Sequence, residues 1–279
     1  MAKELFTRTP VLVWVMTSPQ NLDKKAVHVR NTWGKRVNKL LFMSSAWNAS
    51  FPAVGLNVSE GREHLTAKTM QAFRYVYDHH FNDADWFMKA DDDTYVIAEN
   101  MRYMLSDYDP REPIYFGHIF KVIVKQGYAS GGAGYILSKE ALRRLGVHGR
   151  NSSLCRQDGG SEDAEMGHCL MRLGVKLLPS VDRLGRSRFH CFGPETHLQG
   201  GYPSWYLKYD ANGAKKVECR IGSTGCKLSL CLCTDRFAFC MATGTQTHTR
   251  ARAHTHTHTL APPNTLPPPT HTSVIVHLI

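Results

Sequence analysis

Three features of this chain predict an α/β fold built on a mostly parallel sheet. Two apolar runs, Val11–Thr17 and Lys39–Ser44, are continuous where a half-exposed strand would alternate, which is the pattern of strands covered on both faces. Strand-like and helix-like segments alternate from Val11 to Asp93, as in a parallel sheet joined by crossover helices. The composition, 42% hydrophobic and 21% charged over 279 residues, supplies a substantial core.

The elements follow in order. After the Val11–Thr17 strand, Asn21 or Asp23 caps a helix running to about Trp33, with Ala26, Val29 and Arg30 one turn apart. Lys39–Ser44 is the second buried strand. A long helix spans about Glu60–His80, with Ala72, Phe73, Val76 and Tyr77 along one side. An aromatic strand then runs into Asp91-Asp92-Asp93, followed by a helix over about Glu99–Asp107 and a short strand at Pro113–Gly117. Tyr128–Tyr135 is glycine-rich, Ser138 caps a helix over Lys139–Leu145, and a last helix starts near Glu162 and ends near Val175.

The aspartate triplet is the most informative site. Three adjacent carboxylates repel one another, and a hard divalent cation relieves that repulsion. On an extended backbone Asp91 and Asp93 point to one side and Asp92 toward the protein. A solvated acidic turn is the alternative reading, which the flanking strand disfavours. In sheets of this kind ligands bind beyond the carboxyl ends of strands, where Thr17, Ser44 and the triplet all fall. Thr17 is therefore a candidate nucleotide contact, and Arg30 is a second candidate through the charge it offers to phosphate, with a solvated helix arginine as its alternative. Glu162-Asp163 opens a helix, where acidic residues are also favoured simply by the helix dipole.

The net charge of +10 does not indicate nucleic-acid binding, because no Lys/Arg block or aromatic-basic repeat accompanies it. Scattered positive charge suits a phosphate-bearing small substrate equally well. No stretch is long and apolar enough to cross a membrane, and the first residues are not a signal peptide. Three glycosylation sequons, at Asn48, Asn57 and Asn151, join eight cysteines in suggesting an oxidising, secretory compartment. There, Cys155 and Cys169, which flank Glu162-Asp163, are expected to pair and steady that loop, free buried thiols being the alternative.

Composition changes after Lys216. Residues 1–216 read as the globular domain. Residues 217–279 are Cys-rich, then His/Thr/Pro-rich, and are expected to be disordered. Alternating His and Thr is what a CA repeat encodes, and Val217 falls where a splice donor would. The hypothesis is that this tail is translated intron, which sequencing of transcripts across the junction tests. A His-rich metal binder and a Pro-rich linker compete with it.

Several strings together resemble the β1,3-glycosyltransferases, and within them the core 1 galactosyltransferase branch. They are Arg30–Trp33, Ala84–Val96, Tyr115–Gly117, Lys125–Ala141 and Ser161–Asp163, within a resemblance covering about Val11–Lys216. The resemblance implies a GT-A fold, missing C-terminal elements, and a type II Golgi membrane protein acting on the lumenal side, its anchor absent from this chain. It implies UDP-galactose as donor, Mn²⁺ as cofactor, and GalNAc on Ser or Thr of glycoproteins as acceptor, with a homodimer and a dedicated chaperone as partners. Asp91 and Asp93 match the metal-binding motif, and Thr17, Arg30, Asp92 and Gly132 the donor pocket. Asp163 matches the catalytic base of an inverting reaction. The family's Ser-Phe-His-Tyr string, whose histidine is the expected third metal ligand, does not occur here, and His190 and His197 are poor substitutes. A fringe-like β1,3-GlcNAc transferase is the same-fold alternative, disfavoured by Lys125–Gly134. A non-catalytic, chaperone-like relative is disfavoured by the intact aspartates.

Overall fold

The computed structural model describes residues 2–48 and 50–213 and two short strands further on. A helix α1 (Ala2–Arg8) precedes β1 (Val11–Met16). The next segment is helical in a broken way: a 3₁₀ turn, one π turn over Leu22–Ala26, then α2 (Val27–Asn31). Neither Asn21 nor Asp23 gives the side-chain cap that the sequence suggested; Asn21 precedes the π turn without a capping bond. Then come β2 (Lys39–Ser44), β3 (Ala53–Gly55), α3 (Leu65–His80), β4 (Trp86–Asp91), α4 (Ala98–Leu105), β5 (Ile114–Gly117), β6 (Ile119–Phe120) and β7 (Tyr128–Ala129). The described core closes with β8 (Tyr135–Ser138), α5 (Lys139–His148), α6 (Glu162–Arg172), β9 (Lys176–Leu177), α7 (Pro194–Gln199) and α8 (Ser204–Tyr209). Ser138 caps α5 by accepting from the Ala141 N–H at 3.1 Å.

The central sheet has seven strands in the order β3-β2-β1-β4-β8-β5-β9. The first four are parallel, while β8 runs antiparallel to both β4 and β5. Successive residues of β1 enter opposite cores: Val11, Val13 and Val15 one, Leu12, Trp14 and Met16 the other. Residues of α2 and α4 fill the first core, and residues of α3, α5 and α6 the second. Burial on both faces is why β1 and the first five residues of β4 lie almost wholly out of water.

Two registers position the site. Met16 pairs with Asp91, so Thr17 falls beside Asp92, and Lys89 pairs with Tyr135, so the glycine-rich turn before β8 lies over the end of β4. The chain divides into two units, and the second carries a separate hairpin, β10 (Leu230–Cys233) with β11 (Ala238–Met241). The rest of residues 214–279 lies outside the described residues, and with it the expectations of a disordered tail and of an intron-derived origin. Among the described residues no helix is long and apolar enough to cross a membrane.

Candidate active site

Asp91 is the last residue of β4, and the chain turns immediately, with the Thr94 N–H donating to the Asp91 carbonyl at 3.1 Å. The triplet is therefore not extended as the sequence reading assumed, and its carboxylates find different partners. Asp91 Oδ1 lies 2.6 Å from the ammonium of Lys89. Asp92 is turned inward, where the Thr17 hydroxyl donates to its Oδ2 at 2.8 Å. Burial raises the Asp92 pKa, against the Thr17 hydrogen bond and the charge of Lys25. Asp93 Oδ2 accepts from Lys25 at 2.9 Å, and the same ammonium is 3.7 Å from Asp92 Oδ1. The hydrogen bond to Asp93 holds the Lys25 pKa above its ordinary value.

The glycine-rich turn faces this edge because only glycine fits there. A Cβ on Gly131 would sit 2.7 Å from Glu162 Oε2, and Gly134, at φ +72°, would place one 2.8 Å from the Lys89 carbonyl. The Gly131 N–H donates to Asp163 Oδ2 at 3.2 Å, and the Ala164 N–H to its Oδ1 at 2.8 Å. Gly132 accepts from the Thr94 hydroxyl at 3.4 Å. Glu162 is buried: its Oε1 accepts from Thr69 and Tyr135, both at 2.8 Å.

Asp163 is pushed up to about 6, first by burial and then by the neighbouring Glu162 charge, which outweigh the two backbone N–H groups and Lys89. A carboxylate titrating there is ionised at neutral pH yet basic enough to accept a proton in a reaction. Lys89 is the reverse case. Burial alone would lower its pKa, but Asp91 and Glu162 outweigh that and keep the ammonium charged.

Arg30 lies on α2 with its guanidinium stacked 4.5 Å over the Phe51 ring. A disulfide joins Cys155 to Cys169, tying the loop before Glu162 to α6. The side chains of Asn48 and Asn151 close local turns, each accepting from the hydroxyl of the serine two residues on, at 2.8 and 2.7 Å. Asn57 is exposed. His190 and His197 face one another at 4.6 Å, and His197 meets Tyr202 at 2.9 Å.

The donor chemistry at the triplet, carboxylate oxygen, suits a hard divalent ion, and Lys25 already places a cation between Asp92 and Asp93. Among the described residues no group of three or more His, Cys, Asp or Glu side chains is gathered to hold a metal. The fit is to an ion such as Mn²⁺ or Mg²⁺ that takes one or two carboxylates and completes its shell with substrate phosphate and water.

Sequence reading passed over Lys25 and Lys89. Lys89 carried a signal, since a lone charge within the buried strand Trp86–Ala90 requires a partner.

The fold is that of a glycosyltransferase. The Fringe-like family model matches residues 7–184, and the chain belongs to that family of glycosyltransferases. It is 46% identical over 213 residues to glycoprotein-N-acetylgalactosamine 3-beta-galactosyltransferase 1 of Xenopus laevis, covering 75% of this chain and 59% of that protein. Human chondroitin sulfate glucuronyltransferase is 33% identical over 178 residues, covering 62% and 23%. Mouse beta-1,3-glucosyltransferase is 28% identical over 155 residues, covering 54% and 31%. The chain thus spans about three-fifths of the length of the Xenopus relative and less of the others.

Proposed function

We propose that this chain transfers galactose from UDP-galactose to the 3-hydroxyl of GalNAc on Ser or Thr of glycoproteins, with inversion. The observation that carries the reading is the placement of Asp163, a carboxylate pushed up to about 6, across the glycine turn from the Asp91–Asp93 edge. The 46% identity to a protein named for this activity supports the substrate pair.

Asp91 and Asp93 would hold Mn²⁺ together with the donor diphosphate. When bound, the ion supplies Lewis acidity that neutralises charge on departing UDP. Asp92 is braced by Thr17, and Lys25 is within reach of the same edge to pair with phosphate once it is released from Asp93. Gly132 and its neighbours let backbone approach the sugar. Arg30 is the least supported of the donor contacts, since its charge is spent over Phe51.

Asp163 accepts the proton of the acceptor 3-hydroxyl while that oxygen forms a bond to the anomeric carbon. The bond from that carbon to the UDP oxygen breaks on the opposite face, converting an α-linked donor into a β product. Gly131 and Ala164 aim the carboxylate, and Glu162 keeps it basic.

The sequons and the Cys155–Cys169 disulfide support action in the Golgi lumen. A homodimer and a dedicated chaperone belong to this reading as partners. The test is transfer of labelled galactose to a GalNAcα-Thr peptide, with and without Mn²⁺, by the chain made in a secretory host. UDP-GlcNAc is offered in parallel. Mn²⁺-dependent transfer from UDP-galactose supports the reading; transfer from UDP-GlcNAc alone replaces it with a fringe-like one.

A further inference from the structure

One buried cation, Lys89, reaches Asp91, Gly131 and Glu162. The Lys89 side chain is 3% exposed, yet it stands inside an apolar strand between two cores. Its ammonium meets Asp91 Oδ1 at 2.6 Å on one side and donates to the Gly131 carbonyl at 3.0 Å on the other. Glu162 Oε2 is 4.0 Å away, held there by the Thr69 and Tyr135 hydroxyls on its other oxygen. The same Gly131 whose carbonyl Lys89 holds gives its N–H to Asp163. Asp91 belongs to the donor side of the site and Asp163 to the acceptor side. Lys89 and the single residue Gly131 form a chain of contacts between them.

Resting on the galactosyltransferase reading above, we propose that Lys89 is a positioning residue that fixes the Asp91 carboxylate and the Gly131–Asp163 turn in one geometry. A charge buried only as filler would be replaceable. Exchanging a buried ion pair for neutral groups of similar size is often harmless to stability, whereas removing one member strands the other. Lys89 has a further task, because no apolar side chain can hold both a carboxylate and a carbonyl.

The double variant Lys89→Met/Glu162→Gln, in the full chain, separates the two roles. The glutamine still accepts from Thr69 and Tyr135 through its amide oxygen, so the buried partner of position 89 is neutral, and the charge that remains beside it is Asp91, whose side chain is 17% exposed to water at the sheet edge. The readouts are the melting temperature and binding of UDP with Mn²⁺ by titration calorimetry, neither of which needs acceptor or turnover. The expected result is a melting temperature close to wild type with binding at least tenfold weaker. Where transfer is measured, kcat falls further than the acceptor KM rises. Wild-type binding in a folded double variant overturns the proposal.

If the double variant does not fold, Tyr135→Phe decides. It frees Glu162 to close on Lys89 and draw it from Asp91, so binding threefold or more weaker supports the proposal and unchanged binding overturns it. Failure of the wild-type chain itself to bind UDP with Mn²⁺ is a separate outcome. It removes the donor-site reading, and this inference falls with it.

Discussion

Replacing Asp163 by asparagine should abolish transfer and make the protein more stable. The fold raises the Asp163 pKa from 3.8 to about 6, so it favours the protonated form over the ionised one. Wild-type stability therefore falls as pH rises from about 4 to about 6, where the unfolded chain gives up its proton and the folded one does not, and levels off above. At about 1.4 kcal/mol per pKa unit, the ionised carboxylate costs about 3 kcal/mol at neutral pH. Asparagine removes that cost but keeps one acceptor oxygen where Asp163 accepts from both Gly131 and Ala164, a loss of about 1 kcal/mol. The net gain is about 1–2 kcal/mol, or roughly 3–6 °C in melting temperature for a domain of this size. Thermal unfolding of both proteins from pH 4.5 to 7.5 measures it: the gap should open as pH rises to about 6 and then hold. A variant that melts lower than wild type at pH 7.5, or a gap that ignores pH, would refute the placement of Asp163 as a crowded, destabilised base.

Four further outcomes follow from named contacts. Gly131→Ala drives a methyl group to 2.7 Å from Glu162 Oε2 and should lower transfer at least tenfold while costing about 1–3 kcal/mol, read by kinetics and urea midpoint. Lys25→Ala removes the cation bridging Asp92 and Asp93, so Mn²⁺ alone, followed by electron paramagnetic resonance, should bind several-fold tighter. Cys155→Ser/Cys169→Ser opens a loop of sequence separation 14 and should cost about 3 kcal/mol in denaturant unfolding; no change would mean that the bridge does not form. His118 is buried between Asp210, Tyr206 and the Phe189 carbonyl; burial alone would lower its pKa, but Cys191 and Asp210 push it up to about 10. Its contribution is complete below about 6.5 and lost as pH rises through about 10, and Asp210→Asn should cost about 3 kcal/mol near pH 7 and less at pH 10, by chemical denaturation.

How much of this was legible in the sequence depends on which forces act locally. β1, β2 and β4 were readable because continuous apolar runs leave few alternatives, and Ser138 because a cap is a local device. The antiparallel β8 was not, since Tyr135–Ser138 is four residues long and its direction is set by pairing with Lys89 and Trp86 far away in the chain. The turn at Asp92 escaped for a similar reason: three aspartates carry no signal for where a strand ends. Arg30 looked like a phosphate ligand by charge alone, and its stacking on Phe51 depends on a loop that periodicity does not position. Lys89 was visible as an anomaly, a charge in an apolar strand, but its partners come from β4, the glycine turn and α6. Only the folded sheet brings those three together.

The most direct test of the account is the configuration of the product. Wild-type chain, UDP-galactose, Mn²⁺ and a GalNAcα-Thr peptide should yield a galactose joined β to the 3-position, read by proton NMR of the anomeric signal, and Asp163→Asn should yield none. An α-linked product, or transfer that survives Asp163→Asn, would contradict a single in-line displacement with Asp163 as its base.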